Sequence, residues 1–301
     1  MPTRPASPMV QTDAMAERVT VTVHEGVADV RLNRPDKLNA IDPPMFAALA
    51  AAADRVAADP SIRAVVLSGE GRGFCAGLDF GSFQAMAGGG GDGAVDDAPS
   101  DADLGDDAIA LLSMAGRLTD RLAGRITNLA QQAAYAWTEL PVPVIAAVSG
   151  PALGGGLQIA LGADIRIVAP DAKLSVLEIR WGLLPDMTGL QMLPRLVGID
   201  VAKELSFTGR MVSGEEAVAL GLATRTSADP RADALALAAE IAGKNPLAIR
   251  GTKALLNAAG TRPLGDSFLE ESRLMQELIG SPNQVEAVMA YFEKRAPVFT
   301  D

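Results

Sequence analysis

The sequence predicts an α/β fold in which strand–helix units come first and a run of helices follows. Three observations predict it: valines alternate near the start, two apolar runs in the middle end in glycine-rich turns, and helical periodicity continues from about Leu190. Of the 301 residues, 49% are hydrophobic, so the chain can bury a large core. Only 4% are aromatic, so Ala, Val, Leu and Ile must fill that core.

The first elements have strong local signals. RVTVTVHEGVADVRLNR alternates valine with polar residues and turns at Glu25-Gly26, which predicts a β-hairpin. IDPPMFAALAAAADRVAADP predicts a helix that has Asp42 as its N-cap and ends at Pro60. IRAVVLSGEG predicts a buried strand, and the first glycine-rich break, FCAGLDF, follows it directly.

The middle of the chain contains the only low-complexity segment. Residues 86–107 are rich in Gly, Ala and Asp and cannot bury enough apolar surface to become ordered, so a mobile acidic loop is predicted. A long helix is predicted after it, because apolar residues recur at spacings of three and four. These residues are Leu111, Ala115, Leu118, Leu122, Ile126, Leu129 and Ala133.

The second half begins with another buried strand, PVPVIAAVSG, and the second glycine-rich break, GPALGGGLQIA. GLQIALGAD predicts a short helix, and IRIVA and KLSVLEI predict two further strands, with Glu178 near the end of the second. The remaining segments predict helices, and the last two are separated by GSPNQ.

Composition excludes several classes of protein. The net charge of −11 argues against a nucleic-acid binder, and seven of the negative charges are aspartates between Ala87 and Ala108. The single cysteine, Cys75, excludes an intramolecular disulfide, and we interpret it as a small packed residue; the single histidine, His24, excludes a two-histidine metal site. No apolar run reaches the ~20 residues of a membrane span, and residues 1–17 have no signal-peptide core. A flexible leader and a cytoplasmic protein are therefore predicted.

The two glycine-rich breaks have a chemical interpretation. A strand that runs into glycine and then a helix exposes backbone N–H groups, and two such turns facing each other can form an oxyanion hole. Glycine matters there because a Cβ would block a ligand from the backbone. Tight packing alone is the alternative at this point, since neither segment matches a phosphate loop, a dinucleotide fingerprint or a serine-hydrolase elbow.

Six stretches, in order, resemble the signatures of the crotonase (enoyl-CoA hydratase/isomerase) superfamily over roughly residues 18–300. They are LNRPDKLNAID, GRGFCAGLDF, PVPVIAAVSGPALGGGLQIALGADIRI, LPRLVG, GEEAVALGLATR and AVMAYFEKRAPVF. The resemblance implies a spiral of ββα units over residues 18–200 and a helical trimerisation region over residues 201–301. It also implies an acyl-coenzyme A thioester as substrate and a homotrimer or dimer of trimers. Coenzyme A is part of that substrate, and no other cofactor or metal is expected.

The resemblance also assigns site residues by position. The oxyanion hole falls on the amides of Leu78 and Gly155, which would hold the thioester oxygen while an enolate forms. Lys294 matches a lysine that reaches the coenzyme A phosphate, often across a subunit boundary, although a solvated helix-end charge is the alternative. The resemblance also implies further positions that bind substrate or coenzyme A: Leu38, Ala40, Ala76, Gly77, Asp79, Gly154 and Gln158. Of these, Leu38 and Ala40 are expected to line the coenzyme A channel.

The carboxylates distinguish the reactions of the superfamily. Its hydratases manage a water with two glutamates, and here the first of those positions is Gln158 and the second is Glu178. A glutamine amide orients but cannot act as a base. Glu178 and Asp186 have a spacing similar to the carboxylate pair of the dienoyl-CoA isomerases, so double-bond migration is preferred, with both as catalytic residues. The alternatives are a hydratase with Glu178 alone and a non-catalytic acyl-CoA binding protein. Apolar neighbours are expected to raise the pKa of Glu178, and Asp186 could instead be a helix N-cap.

Overall fold

The computed structural model of this chain describes residues 17–79 and 118–301. The predicted leader, apart from its last residue, and the predicted acidic loop 86–107 lie outside the described residues. No helix in the described ranges is long and apolar enough to cross a membrane.

Nine strands form two sheets in the described residues. The strands are β1 (Val19–His24), β2 (Val27–Leu32), β3 (Ala64–Gly69), β4 (Val144–Val148), β5 (Pro151–Leu153), β6 (Ile165–Val168), β7 (Lys173–Ser175), β8 (Val212–Ser213) and β9 (Arg225–Thr226). The larger sheet has the order β1-β2-β3-β4-β6-β9, and the smaller has the order β5-β7-β8.

The larger sheet begins with the predicted hairpin. β1 and β2 are antiparallel, with Val21 opposite Val30, and the later neighbours are parallel. Glu25 and Gly26 have φ angles of 48° and 80°, as a tight two-residue turn requires. His24 is exposed beside this turn, as the sequence predicted.

Ten α-helices accompany these strands in the described ranges. They are α1 (Pro43–Ala58), α2 (Leu129–Glu139), α3 (Gly155–Leu161), α4 (Gly189–Val197), α5 (Ile199–Thr208), α6 (Gly214–Ala219), α7 (Pro230–Ala242), α8 (Pro246–Ala258), α9 (Leu264–Leu278) and α10 (Pro282–Glu293). α1 begins where the sequence predicted, because the Asp42 side chain accepts a hydrogen bond from the Met45 N–H at 3.0 Å.

Helices cover both faces of the larger sheet. α1 and α2 pack on one face, within the main hydrophobic core. α7 packs on the other face, where Ala234, Ala238 and Ala242 contact the outward residues of β2, β3, β4 and β6. Because both faces of the sheet are buried, the central strands are continuous apolar runs and do not alternate between apolar and polar residues.

The region after residue 200 contributes to both sheets. β8 pairs with β7 in the smaller sheet, β9 pairs with β6 in the larger, and α7 covers the larger sheet. The sequence predicted only helices there. Two-residue strands are too short to show a periodic pattern, so periodicity could not reveal them.

The predicted long helix is wrong over residues 118–128, and its first residues lie outside the described ranges. The helix begins at Leu129 because Asn128 and Gln131 form a capping box: the Asn128 side chain accepts from the Gln131 N–H, and the Gln131 side chain accepts from the Asn128 N–H. Residues before this box form turns.

The strand predicted from KLSVLEI is too long. β7 ends at Ser175, and Glu178–Trp181 form a short 3₁₀ helix that ends at Gly182, with φ of 71°. Glu178 therefore stands at the first position of a helical turn beyond the strand.

Candidate active site

The first glycine-rich break lies between two other segments of backbone. On one side, the Ile41 N–H donates to the Gly77 carbonyl at 2.8 Å and the Asp79 N–H donates to the Ile41 carbonyl at 3.0 Å. On the other side, Cys75 forms a parallel bridge with Ala152 of β5. These bonds bring residues 75–79 beside the second glycine-rich break, which contains β5.

The two breaks touch at Gly77. Its φ is 88°, and a Cβ there would be 2.6 Å from the Leu153 carbonyl oxygen and 3.8 Å from the Gly155 nitrogen. Only glycine adopts this conformation at so close an approach without strain. The distant sequence segments are therefore in direct contact, as the sequence predicted.

The backbone N–H groups of Leu78 and Gly155 are among those at this junction that have no protein acceptor within the described residues. In the parallel bridge to Ile41, the hydrogen bonds are formed by the Gly77 carbonyl and the Asp79 N–H. The N–H of Leu78, which lies between them, therefore points away from Ile41. Gly155 is the first residue of α3, where the N–H groups have no partner within the helix. Both amides are free to bind a ligand oxygen.

Glu178 lies beside this junction. If Gly154 carried a Cβ, that atom would be 3.2 Å from Glu178 Oε1. The Gln158 Nε2 donates to the same Oε1 at 2.6 Å, whereas Glu178 Oε2 is buried and has no hydrogen-bond partner in the part of the chain described. Burial raises the pKa of Glu178, and the nearby charge of Asp186 raises it further. The expected direction of this pKa shift is confirmed.

Gln158 is a buried residue of α3, and both the nitrogen and the oxygen of its side-chain amide form hydrogen bonds. Besides the bond to Glu178, its Oε1 accepts from the Gly189 N–H at 2.9 Å, at the start of α4. Sequence reasoning did not find this second bond, because it joins residues 31 positions apart and α4 has no local capping signal.

Asp186 is exposed to solvent in the isolated chain, although the protein atoms around it desolvate its carboxyl group enough to raise its pKa. It is not the N-cap of α4. That position belongs to Thr188, whose side chain makes no capping bond, and the Gly189 N–H is taken by Gln158. Met187 contacts the junction, since a Cβ on Gly155 would lie 3.0 Å from Met187 Sδ. The segment that carries Asp186 therefore packs against Gly155 at the junction.

The loop before α1 supports the first break. Asn39 is fully buried, and its Nδ2 donates to the carbonyls of Glu70 at 2.9 Å and Gly73 at 2.8 Å. The Arg34 Nη1 donates to Asp79 Oδ2 at 2.6 Å and to the Ala40 carbonyl at 3.1 Å. Sequence reasoning missed Arg34 and Asn39 as structural residues, although both lie in the quoted stretch LNRPDKLNAID.

The structure brings most of the predicted coenzyme A residues together. Leu38 is part-buried with φ of 50°, Ala40 is buried, and the Ala76 N–H donates to the Leu38 carbonyl at 2.9 Å. Lys294 is different: it is exposed at the end of α10 and has no hydrogen bond or ion pair with the other predicted site residues in the described chain. Cys75 is buried, which raises the pKa of its thiol to about 12, so it is packed as the sequence predicted.

Residues 27–296 match the sequence family described as enoyl-CoA hydratase/isomerase. The chain belongs to this family. It is 32% identical over 283 residues to enoyl-CoA hydratase domain-containing protein 2, mitochondrial, of Mus musculus, covering 92% of this chain and 85% of that protein. It is 31% identical over 304 residues to the methylglutaconyl-CoA hydratase, mitochondrial, of the same organism, covering 98% of this chain and 87% of that protein.

The fold agrees with this family assignment. The crystal structure of an enoyl-CoA hydratase from Bacillus anthracis has a TM-score of 0.78 and 27% identity, and the match covers 94% of this chain and 98% of that one. The α/β crotonase fold predicted from the sequence is confirmed, together with its C-terminal helices. The protein is an acyl-CoA enzyme of the hydratase/isomerase type.

Proposed function

We propose that this enzyme moves a double bond within an enoyl-CoA or dienoyl-CoA thioester. One observation carries the proposal: at the position where the family's hydratases have a glutamate, Gln158 donates an amide N–H to Glu178 at 2.6 Å. An amide cannot accept a proton from water near neutral pH, so the two-glutamate route to hydration is closed. Isomerisation needs no water, only an enolate and groups that move a proton.

The proposed oxyanion hole consists of the Leu78 and Gly155 amides. As a proton leaves the carbon beside the thioester carbonyl, negative charge grows on the thioester oxygen, and two fixed N–H donors stabilise that charge. Each such donor contributes about 3 kcal/mol to the transition state in comparable sites. The support is that both amides lie at one junction and donate to no described protein acceptor.

Glu178 is the proposed base. Its unpartnered Oε2 takes the proton, the C–H bonding electrons enter the enolate, and the charge moves to the thioester oxygen. Asp186 in its protonated form is the proposed acid, which returns a proton to a carbon farther along the conjugated system. Both carboxyl groups have raised pKa values, which suits a base and an acid that work near neutral pH. Exchange with solvent restores the two groups.

Hydration of a 2-enoyl-CoA is the second candidate, and the names of the relatives favour it. Glu178 would then take a proton from water and deliver it to the substrate carbon without a second carboxylate. A non-catalytic acyl-CoA binding protein is the remaining alternative. It does not explain why a buried carboxylate with an unpartnered oxygen lies beside two free amides, since such a group costs folding stability.

An assay with 2-enoyl-, 3-enoyl- and 3,5-dienoyl-CoA tests these alternatives. The wild type is expected to shift the double bond of the 3-enoyl or dienoyl substrate, and Glu178→Gln and Asp186→Asn are each expected to lose about a hundredfold in kcat/KM. Full isomerase activity in Asp186→Asn would remove Asp186 from the mechanism. A hydroxyacyl product from the 2-enoyl substrate alone would establish the hydratase, and binding without any turnover would establish the binding protein.

We also propose that the enzyme is a homotrimer or a dimer of trimers in the cytoplasm and uses no cofactor beyond the coenzyme A of its substrate. The support for assembly is the apolar surface of the C-terminal helices. None of the residues of α9 is buried within one chain, and Leu269 and Phe292 are 72% and 74% exposed. Lys294, at the end of α10, would then reach a coenzyme A phosphate across the subunit boundary.

A further inference from the structure

Gln158 touches both parts of the proposed proton-handling machinery. Its Nε2 donates to Glu178 Oε1 at 2.6 Å, and its Oε1 accepts from the Gly189 N–H at 2.9 Å. We propose that Gln158 is a positioning residue that reserves Glu178 Oε2 for proton transfer and fixes the Asp186 segment relative to it. This inference rests on the proposed isomerase function and deepens it.

The orientation of the Gln158 amide follows from its partners. The Gly189 N–H can only donate, so it must face the amide oxygen, and the amide nitrogen must then face Glu178. The reverse orientation would place two donors against each other. Gln158 is only 2% exposed, so it cannot turn towards solvent instead.

The bond to Gly189 holds a strained turn in place. Thr188, a β-branched residue, has φ of 76°, which is a left-handed conformation that such residues rarely adopt. Its Oγ1 is buried and has no partner among the described residues. Because α4 lacks a cap of its own, Gln158 supplies one from α3. A Cβ at position 189 would be 2.7 Å from the Gln158 oxygen, so only glycine permits the contact.

The Gln158 hydrogen bond determines which oxygen of Glu178 takes the proton. The substrate C–H bond breaks, an O–H bond forms at Glu178 Oε2, and the electron pair enters the enolate. Protonation of Oε1 would weaken the Gln158 hydrogen bond, because a protonated carboxyl oxygen is a poorer acceptor than an ionised one. Gln158 keeps its own protons throughout, and its N–H favours the charged carboxylate, so it lowers the pKa that burial raises.

Gln158→Met tests the proposal directly. Methionine is similar in length but has no N–H, so the pKa of Glu178 should rise. The acid limb of the kcat/KM profile for double-bond migration should move up by about one pH unit or more. On the acid limb, kcat should fall about tenfold for each unit by which the pKa rises, while KM changes little, because less of the base is ionised.

Gln132→Met is the matched control. Gln132 is also a buried glutamine that accepts at Oε1, from Thr127 Oγ1, and donates from Nε2 to a carboxylate, Glu139 Oε2, at 2.9 Å. It lies on α2 and has no bond to Glu178 or Gly189. This variant should lose stability as the Gln158 variant does, yet keep the wild-type pH profile.

Gly189→Ala provides a second test that leaves Gln158 unchanged. Its methyl group should displace the amide and shift the pH profile in the same direction. In the Gln158→Met background the same change should add little, because both substitutions act through one amide. Fully additive shifts would overturn the proposal.

A measurement on the free enzyme separates this inference from the proposed function. ¹³C NMR of a glutamate-labelled protein follows the Glu178 carboxyl group, whose signal is the one lost in Glu178→Gln. The positioning role is supported if the pKa of Glu178 rises in Gln158→Met and stays at its wild-type value in Gln132→Met, even if no isomerase activity is found. Unchanged titration of Glu178 in Gln158→Met, or an equal shift in both variants, would overturn it.

Discussion

At the scale of single residues, Glu178 combines a proposed catalytic role with a cost to folding. Gln158 is the one side chain that donates to its Oε1, and its Oε2 has no partner among the described residues, so burial still disfavours the ionised form. The position of Glu178 could be assigned from the resemblance to the crotonase superfamily. Its partner could not, because nothing in the local sequence indicates that Gln158 also caps a helix that starts at Gly189.

Glu178→Gln is expected to stabilise the protein while it lowers kcat/KM about a hundredfold. Burial raises the pKa of Glu178 in the folded chain above its ordinary value of 4.5. Below that value the group is protonated in both folded and unfolded chains and costs nothing; as the pH rises through the raised folded pKa, the wild type loses stability relative to the variant. Thermal unfolding should show a Tm gain of about 2 °C or more at about pH 8 and a smaller gain at about pH 5.

Glu286→Gln provides a control of opposite sign. Arg295 and the Val298 N–H lower the pKa of Glu286 to about 2, so its ionised form favours folding above its unfolded pKa. This variant should lower the Tm near neutral pH, with a difference that shrinks as the solution becomes acidic. If Glu178→Gln lowers the Tm near neutral pH, as Glu286→Gln is expected to do, the burial argument for Glu178 fails.

At the scale of elements, the site depends on the contact between two turns. Gly77→Ala would put a methyl group 2.6 Å from the Leu153 carbonyl at a φ of 88°, so the strand end and α3 must separate. We expect a loss of about 1–3 kcal/mol of stability, and a fall of roughly a hundredfold in kcat/KM because one oxyanion donor is displaced. Urea unfolding and steady-state kinetics measure the two effects.

Gly260→Ala separates backbone strain from displacement of the amides. Gly260 has φ of 77°, close to that of Gly77, but a Cβ there would meet nothing within 4 Å. Gly260→Ala should lose about 1 kcal/mol of stability from backbone strain alone, which is less than Gly77→Ala loses, and should keep the wild-type kcat/KM. A comparable loss of activity in both variants would show that strain, not the junction, explains the Gly77 result.

The start of α2 shows what the sequence could and could not reveal. Periodicity alone extended this helix too far towards the N-terminus, but Asn128 and Gln131 have the spacing of a capping box, and that signal was available. The β1–β2 hairpin and α1 were predictable because their turn and cap are local. The 3₁₀ turn at Glu178 was not, since VLEI suits a strand equally well and tertiary contacts decide.

Asn128→Ala should lower stability by about 1 kcal/mol, because the Gln131 N–H loses its acceptor. The kcat/KM should stay at the wild-type value, since the cap lies outside the junction. Asn128→Asp keeps the acceptor and should lose little stability in the same urea titration. Equal losses in the two variants would mean that the Asn128 Nδ2 bond to the Leu118 carbonyl, not the cap, matters.

At the scale of the whole molecule, the core and the C-terminal helices differ in how fully one chain buries their apolar residues. Both faces of the larger sheet are covered within one chain. The last two helices instead present apolar residues to solvent along one side: Leu264, Phe268 and Met275 on α9, with Ile279 just after it, and Val285, Val288, Met289 and Phe292 on α10. Helices of this length gain most of their stability from tertiary packing, so a second chain is expected to cover them.

Leu269→Lys combined with Phe292→Lys tests this expectation together with the proposed role of Lys294. Two charges on this surface should oppose burial, so the particle mass from light scattering should fall towards that of one 31.1 kDa chain. KM for acyl-CoA should rise, because the partner chain's lysine would no longer reach the coenzyme A phosphate. Ile126→Lys, at a side chain 64% exposed outside these helices, should change neither quantity. An unchanged mass would place the subunit interface elsewhere, and a monomer with the wild-type KM would remove Lys294 from coenzyme A binding.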